Sequence, residues 1–171
     1  MGTDTVSFGS RESFLYTWGA GVGGGLLGGL GMGVVLHAGA NIMPFIGALY
    51  GQPTVLGGWI AHLTNSVLLG LLFALIVSRW RFHDRTTNLF EWAIYGIVYA
   101  AAIGLVTGGI MVPATLHLMD VTVLPQPALP MPGITGSLLV AFSVGVAHVV
   151  YGVLLGTVYG RVHAASEERV E

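Results

Sequence analysis

The chain has six histidines and no cysteine. Disulfides, thiolate metal sites and cysteine nucleophiles are therefore excluded, and the imidazoles are the side chains that can exchange a proton near neutral pH. Two of them stand in matching surroundings. The stretch WIAHLTNSVLLGLLF (residues 59–73) aligns without gaps on GVAHVVYGVLLGTVY (residues 145–159), with six of fifteen positions identical. The matches are Ala61/Ala147, His62/His148, Val67/Val153, Leu68/Leu154, Leu69/Leu155 and Gly70/Gly156. Residues three and four apart share a helix face. His62, Asn65, Ser66 and Gly70 thus form one stripe, and His148, Tyr151, Gly152 and Gly156 form its counterpart.

Three chemistries suit such a pair. In the first, neutral imidazoles hydrogen-bond across helices to a carbonyl, Asn65, Ser66, Thr107 or Tyr151 and fix the register. In the second, His62 and His148 ligate a haem b iron, a copper ion or a zinc ion, as neutral imidazole commonly does; no spacing in the chain is diagnostic of this. In the third, the stripes line a polar path or binding site for a proton, an ion or a small solute, with His62, Asn65, Ser66, His148 and Tyr151 along it. Of the other histidines, His83 and His163 fall in polar segments, and His37 and His117 fall towards the ends of apolar ones. No nucleophile, base and carboxylate can be assembled from the residues available, so no catalysis is expected.

The elements that must position these groups follow from composition. The 171 residues are 54% hydrophobic and 8% charged, against about 25% charged in an average soluble domain. Mean hydropathy is +0.80. Residues 13–78 contain no Asp, Glu, Lys or Arg, and residues 92–160 contain only Asp120. A hydrocarbon core about 30 Å thick needs about 20 apolar residues of helix, so each run provides two crossings. The expected fold is an all-α integral membrane bundle of four transmembrane helices, over about residues 16–40, 54–78, 89–117 and 134–162. These make one domain, residues 14–163, between polar tails at 1–13 and 164–171. Ionisable groups inside such spans are costly and invite a functional reading.

Proline and glycine punctuate the connections. Asn41, Pro44, Gly51 and Pro53 mark a turn between spans one and two, since each proline disfavours helix in the residue before it. The segment DVTVLPQPALPMPG (residues 120–133) reads as an extended loop. All six arginines (Arg11, Arg79, Arg81, Arg85, Arg161, Arg169) fall in segments that four crossings place on one side. The positive-inside rule makes both termini and the central loop cytoplasmic in the cell membrane. Ala38-Gly39-Ala40 is similar to a signal-cleavage site, but the apolar stretch before it is longer than a signal core, and the span is expected to remain.

Span one holds nine glycines in residues 19–33. Gly19, Gly21 and Gly24 match the dinucleotide fingerprint by spacing, yet no strand precedes them and the match is discarded. Small residues let membrane helices approach closely, and Gly21, Gly25 and Gly29, with Gly70 and Gly156 in the repeats, are the expected packing positions. The shared stretches point to a duplicated two-helix hairpin. Met43-Pro44 and Met111-Val112-Pro113 offer a weaker correspondence between spans one and three. Expected partners are the lipid bilayer and either further copies of the chain or a larger membrane complex. With a net charge of −2 and no basic cluster, no nucleic acid is expected.

The segments GLLGGLGMGVVLHAGANIMPFIGALYG, GWIAHLTNSVLLGLLFALI and VAHVVYGVLLGTVYG resemble a family of small four-helix integral membrane proteins common in haloarchaea, over about residues 20–160. The resemblance implies a four-helix membrane fold and carries no functional residue with it. Some members bear the label histidine kinase. Here the longest polar segments are too short for a phospho-acceptor domain and an ATP-binding domain, which leaves at most a membrane input component for a separate kinase. The expected role is therefore a multi-pass membrane protein that binds or conducts a small solute, ion or proton around the paired histidines. The alternative is an accessory subunit that packs through its glycine-rich first span.

Overall fold

The computed structural model describes residues 8–79, 88–118, 131 and 133–167, and these are helical throughout apart from short turns. Helix α1 covers Phe8–Val35 and runs into a π-helical segment, Leu36–Ala40; α2 covers Met43–Ala48 and α3 covers Val55–Arg79. Helix α4 covers Leu89–Val106, a second π segment covers Thr107–Met111, α5 covers Val112–Leu118 and α6 covers Gly133–Glu167. Four stretches are long and apolar enough to cross a membrane: Phe14–Ala40, Val55–Arg79, Leu89–Leu118 and Gly133–Ser166. They coincide with the four expected spans.

Two boundaries differ from the sequence reading. Helix α1 begins at Phe8 and α6 continues to Glu167, so helix extends into both segments read as tails. Neither extension contains proline, and Ala164-Ala165 are strong helix formers. The turn after span one also contains a helix, α2. Pro44 sits in its first turn, where a missing backbone N–H costs nothing. The expected loop over residues 120–130, with Asp120, and the segment carrying Arg81, His83 and Arg85 lie outside the described residues.

Local signals in the sequence explain the helix ends. Asn41 terminates the first π segment in the left-handed region at φ 50°, which asparagine tolerates better than most residues. Gly51 makes the turn after α2 at φ +72°. The Thr54 hydroxyl accepts from the Gly57 amide at 2.9 Å and caps α3. Asn88 caps α4 by accepting from the Phe90 amide at 2.9 Å, and Glu91 in the first turn complements the helix dipole.

Helix α1 packs against α3 and α6, α6 also packs against α4, and α2 folds onto α3. Glycine sets the separations. A Cβ at Gly25 would lie 2.6 Å from the Ser66 carbonyl oxygen, and one at Gly21 would lie 2.9 Å from that of Gly70. A second glycine face on α1 meets α6, with Gly24 against Leu155 and Gly28 against Tyr151. In the other helix pair, Gly96 faces Gly152, and Gly156 faces the Trp92 backbone. Across α3 and α4 the contact is made by rings: Phe73 and Tyr99 have centroids 5.3 Å apart.

The two pairs share a register. Leu36–Ala40 and Thr107–Met111 are both π segments, each residue of the second lying 71 positions after its counterpart (Leu36 to Thr107). In the same register Gly25 corresponds to Gly96 and Gly33 to Gly104. Gly25 meets Gly70, and Gly96 meets Gly156. Gly33 packs beside His62, and Gly104 beside His148. The Met-Pro elements do not follow this register. Pro44 lies in α2, beyond the break at Asn41, whereas Pro113 lies in α5, directly continuous with the second π segment.

The chain has two apolar centres. At the end bearing Arg79 and Arg161, Phe73, Trp92, Tyr151, Leu155 and Tyr159 are buried together. At the opposite end, Leu36, Ala40, Met43, Val140 and Ala147 form the second. The half of the third span away from the arginines is the least covered part of the bundle, with Leu105, Ile110 and Leu118 all exposed.

This packing predicts opposite signs for one substitution at two sites. Gly156→Ala places a Cβ against the Trp92 carbonyl, and overpacking of this kind costs about 1–3 kcal/mol. Gly145→Ala meets no atom within 4 Å and adds a better helix former, a gain of up to about 1 kcal/mol. Thermal unfolding of the two variants in detergent should therefore fall on opposite sides of the parent protein.

Candidate functional site

A cavity of about 450 Å³ lies between the α1–α3 pair and the α4–α6 pair, in the half of the bundle away from the arginines. Met32 and Leu36 of α1, Ile46 of α2 and Val140 and Val144 of α6 make apolar walls, and the second π segment with α5 supplies the remaining side. Both π segments border the cavity, through Leu36 on one side and Thr107, Gly108 and Met111 on the other. An extra residue per turn widens a helix locally, and such bulges recur at functional sites.

The polar residues singled out from sequence converge on this cavity. His62, Asn65, Ser66, His148 and Tyr151 all line it. His62, Ser66, His148 and Tyr151 are buried, at 6%, 3%, 9% and 2% exposure, and form its floor. Asn65 is half-buried, with its amide nitrogen donating to the Tyr50 hydroxyl at 2.6 Å.

Each floor residue is held by a backbone carbonyl. His62 Nε2 lies 2.9 Å from the Gly29 carbonyl oxygen on α1, and His148 Nδ1 lies 2.8 Å from the Val144 carbonyl oxygen one turn back on α6. A carbonyl only accepts, so these contacts fix the tautomers. His62 carries its proton on Nε2 and His148 on Nδ1. The Ser66 hydroxyl donates to the His62 carbonyl at 2.8 Å, and the Tyr151 hydroxyl donates to the Ser66 carbonyl at 2.7 Å. That last bond ties α6 to α3 across 85 residues of sequence.

Glycine makes room for both imidazoles. A Cβ at Gly33 would run into the Trp59 ring and stand 3.2 Å from His62 Cδ2. One at Gly104 would stand 3.0 Å from His148 Cδ2 and Cγ. Trp59 also meets the His62 ring edge-on, with centroids 6.2 Å apart. His37 stacks beside Trp59 on its other neighbour side, at 6.2 Å, rather than joining the floor.

Below the floor, towards the arginines, the bundle is filled by rings. Trp92 and Tyr159 have centroids 5.1 Å apart, and Phe73 and Tyr159 meet edge-on at 5.5 Å. The Tyr99 hydroxyl donates to the Leu69 carbonyl at 2.7 Å. The hydroxyls of Tyr99, Tyr151 and Ser66 thus each end on a carbonyl and do not hand protons to one another.

Metal chemistry is bounded by the donor set. Among the described residues no three of His, Cys, Asp and Glu gather. His62 Nδ1 and His148 Nε2 are the nitrogens left over, two donors where zinc sites use three or four protein ligands.

Several positions that matter here escaped the sequence reading. Gly33 and Gly104 were hidden among other glycines, although their matching offset from the π segments marks them. Tyr99 gave no signal, because an aromatic on an apolar helix usually reads as packing. Ser143, buried and 2.5 Å from where a Cβ of Gly39 would stand, carries no motif. The packing glycines expected at Gly21, Gly25, Gly29, Gly70 and Gly156 are all in helix–helix contact within the chain.

Tyr151→Phe removes one interhelical hydrogen bond and leaves the Ser66 carbonyl paired within its own helix. Such bonds average about 0.6 kcal/mol in membrane bundles. Unfolding in a mild detergent should register a loss of about that size, and a loss above about 2 kcal/mol would mean the hydroxyl holds more than this bond. No family model, curated protein or solved structure matches the chain.

Proposed function

We propose that the chain is an integral protein of the cell membrane with four transmembrane helices and both termini cytoplasmic. Its role is to bind a small solute in the cavity between the helix pairs, against the floor of His62, Ser66, His148 and Tyr151. The observation that carries this reading is a cavity of about 450 Å³ with apolar walls and a buried polar floor. Ligand pockets have this character: roughly 300–1,000 Å³, mostly apolar, with a few placed polar groups. The mechanism is retention rather than open conduction. The aromatic layer of Phe73, Trp92 and Tyr159 fills the bundle beneath the floor, and the hydroxyls of Tyr99 and Tyr151 terminate on carbonyls. No catalytic step belongs to this role.

The bundle is best explained as a duplicated hairpin. The π segments and the glycines Gly25/Gly96 and Gly33/Gly104 recur at 71 residues, the histidines and Gly70/Gly156 recur at 86, and two same-direction hairpins are related by an axis along the membrane normal. Each copy then brings one imidazole to the shared cavity. The resemblance to the haloarchaeal four-helix family fits this architecture. The alternative, an accessory subunit docking through the glycine-rich first span, is disfavoured because Gly21, Gly25 and Gly29 are already packed against α3.

Methionine methyl groups report on occupancy. Met32 and Met111 line the cavity, whereas Met43 is fully buried behind its wall and does not line it. With methyl-labelled methionine and 1-methoxynaphthalene as probe, the Met32 and Met111 resonances should shift saturably and Met43 should not. Ala141→Trp, which fills the wall, should abolish the shift. Uniform, non-saturating shifts at every methionine would refute a bound state.

A further inference from the structure

We infer that the cavity selects a neutral, lipophilic molecule that donates a hydrogen bond, such as a phenol, an alcohol or a hydroquinone-type hydroxyl, to His62 Nδ1 and His148 Nε2. This rests on the binding reading above and names its ligand class.

The inference comes from accounting for every hydrogen on the floor. His62 gives its one ring proton to Gly29, and His148 gives its own to Val144. Ser66 gives its hydroxyl proton to the His62 carbonyl, and Tyr151 gives its own to the Ser66 carbonyl. All four donors are spent on backbone oxygens. The acceptors that remain are lone pairs on the Ser66 and Tyr151 hydroxyls and two ring nitrogens, His62 Nδ1 and His148 Nε2, for which no protein hydrogen bond exists among the described residues. Neither nitrogen is sealed in by protein atoms, and both residues line the cavity. The ring of His62 presents its Nε2–Cδ2 edge to Gly29 and Gly33 of α1, which turns the Nδ1 edge away from that helix.

A buried acceptor without a donor costs about as much as a lost hydrogen bond. The floor therefore rewards a ligand that brings the missing hydrogen and penalises one that brings only lone pairs, since acceptor would face acceptor. Donor hydrogens that stay available belong to exposed Tyr50 and Ser137 and half-buried Asn65, not to the four floor residues. Charge is excluded by the same accounting. Among the described residues no Asp or Glu lines the cavity, and a cation desolvated without a counter-charge is unfavourable by several kcal/mol. The apolar walls fix the rest of the molecule as lipophilic.

The test compares matched probes on the whole protein in lipid nanodiscs, with the Met32 and Met111 methyl shifts as readout and membrane partitioning subtracted. 1-Naphthol and 1-methoxynaphthalene differ by one O–H. The expected result is about tenfold tighter binding of naphthol, the worth of one hydrogen bond. His62→Met and His148→Met should each lower that ratio while methoxynaphthalene still binds. Should a variant fail to fold, the ratio in the unmodified protein decides the matter alone. Equal affinities overturn the donor preference and leave the cavity reading standing. Tighter binding of protonated 1-naphthylmethylamine than of naphthol overturns the claim of a neutral ligand. If neither naphthalene shifts Met32 or Met111 saturably, the cavity reading itself fails.

Discussion

An N–H or O–H group cut off from water must find an acceptor inside the protein, and in this bundle that acceptor is repeatedly a backbone carbonyl. In the proposed membrane, lipid offers no hydrogen bonds, and an unsatisfied group costs several kcal/mol. A carbonyl in a helix interior already accepts one bond but has a second lone pair. His62 uses that of Gly29, His148 that of Val144, Ser66 that of His62, and Tyr151 that of Ser66. The arrangement is economical in protons and leaves imidazole nitrogens over. The character of the cavity follows from that surplus.

Reaching a carbonyl on a neighbouring helix requires the helices to lie close, and close approach is what the glycines provide. The His62–Gly29 bond spans α3 and α1, whose contact runs through Gly21, Gly25 and Gly70. In the second pair, Gly96 against Gly152 and Gly156 sets the spacing that seats His148 beside Gly104. In the membrane setting proposed above, dispersion and hydrogen bonding hold such pairs, because lipid tails remove the hydrophobic drive between helices. Where the glycines stop, the packing changes. Rings fill the end near the arginines, while at the other end the third span parts from its neighbours and the cavity opens.

Much of this was legible because polar residues are rare in the sequence. Two long runs almost free of charge, each enough for two crossings, gave the four spans, and the gapless match of residues 59–73 with 145–159 picked out His62 and His148 as a pair. Their stripe-mates Asn65, Ser66 and Tyr151 do line the same cavity. The remainder was hidden for physical reasons. A π segment arises from one surplus residue in a helix and leaves no compositional mark, so the shared register of Leu36 and Thr107 appears only in the backbone. Helix α2 lay under a proline that reads as a breaker until its place in the first turn is known. The histidine tautomers depend on which carbonyl comes within reach, and that is decided by helix packing rather than by spacing along the chain. Gly33 and Gly104 look like any other glycine until an imidazole is found against each.

The most direct test of this account is the protonation pattern of the two buried imidazoles. Nitrogen-15 spectra of histidine-labelled protein in lipid bilayers, assigned through single His→Gln variants, distinguish the two neutral tautomers. The account predicts opposite tautomers, with His62 carrying its proton on Nε2 and His148 on Nδ1. A proton on Nδ1 of His62, or the same tautomer at both sites, would contradict it, because the floor would then present a donor to the cavity.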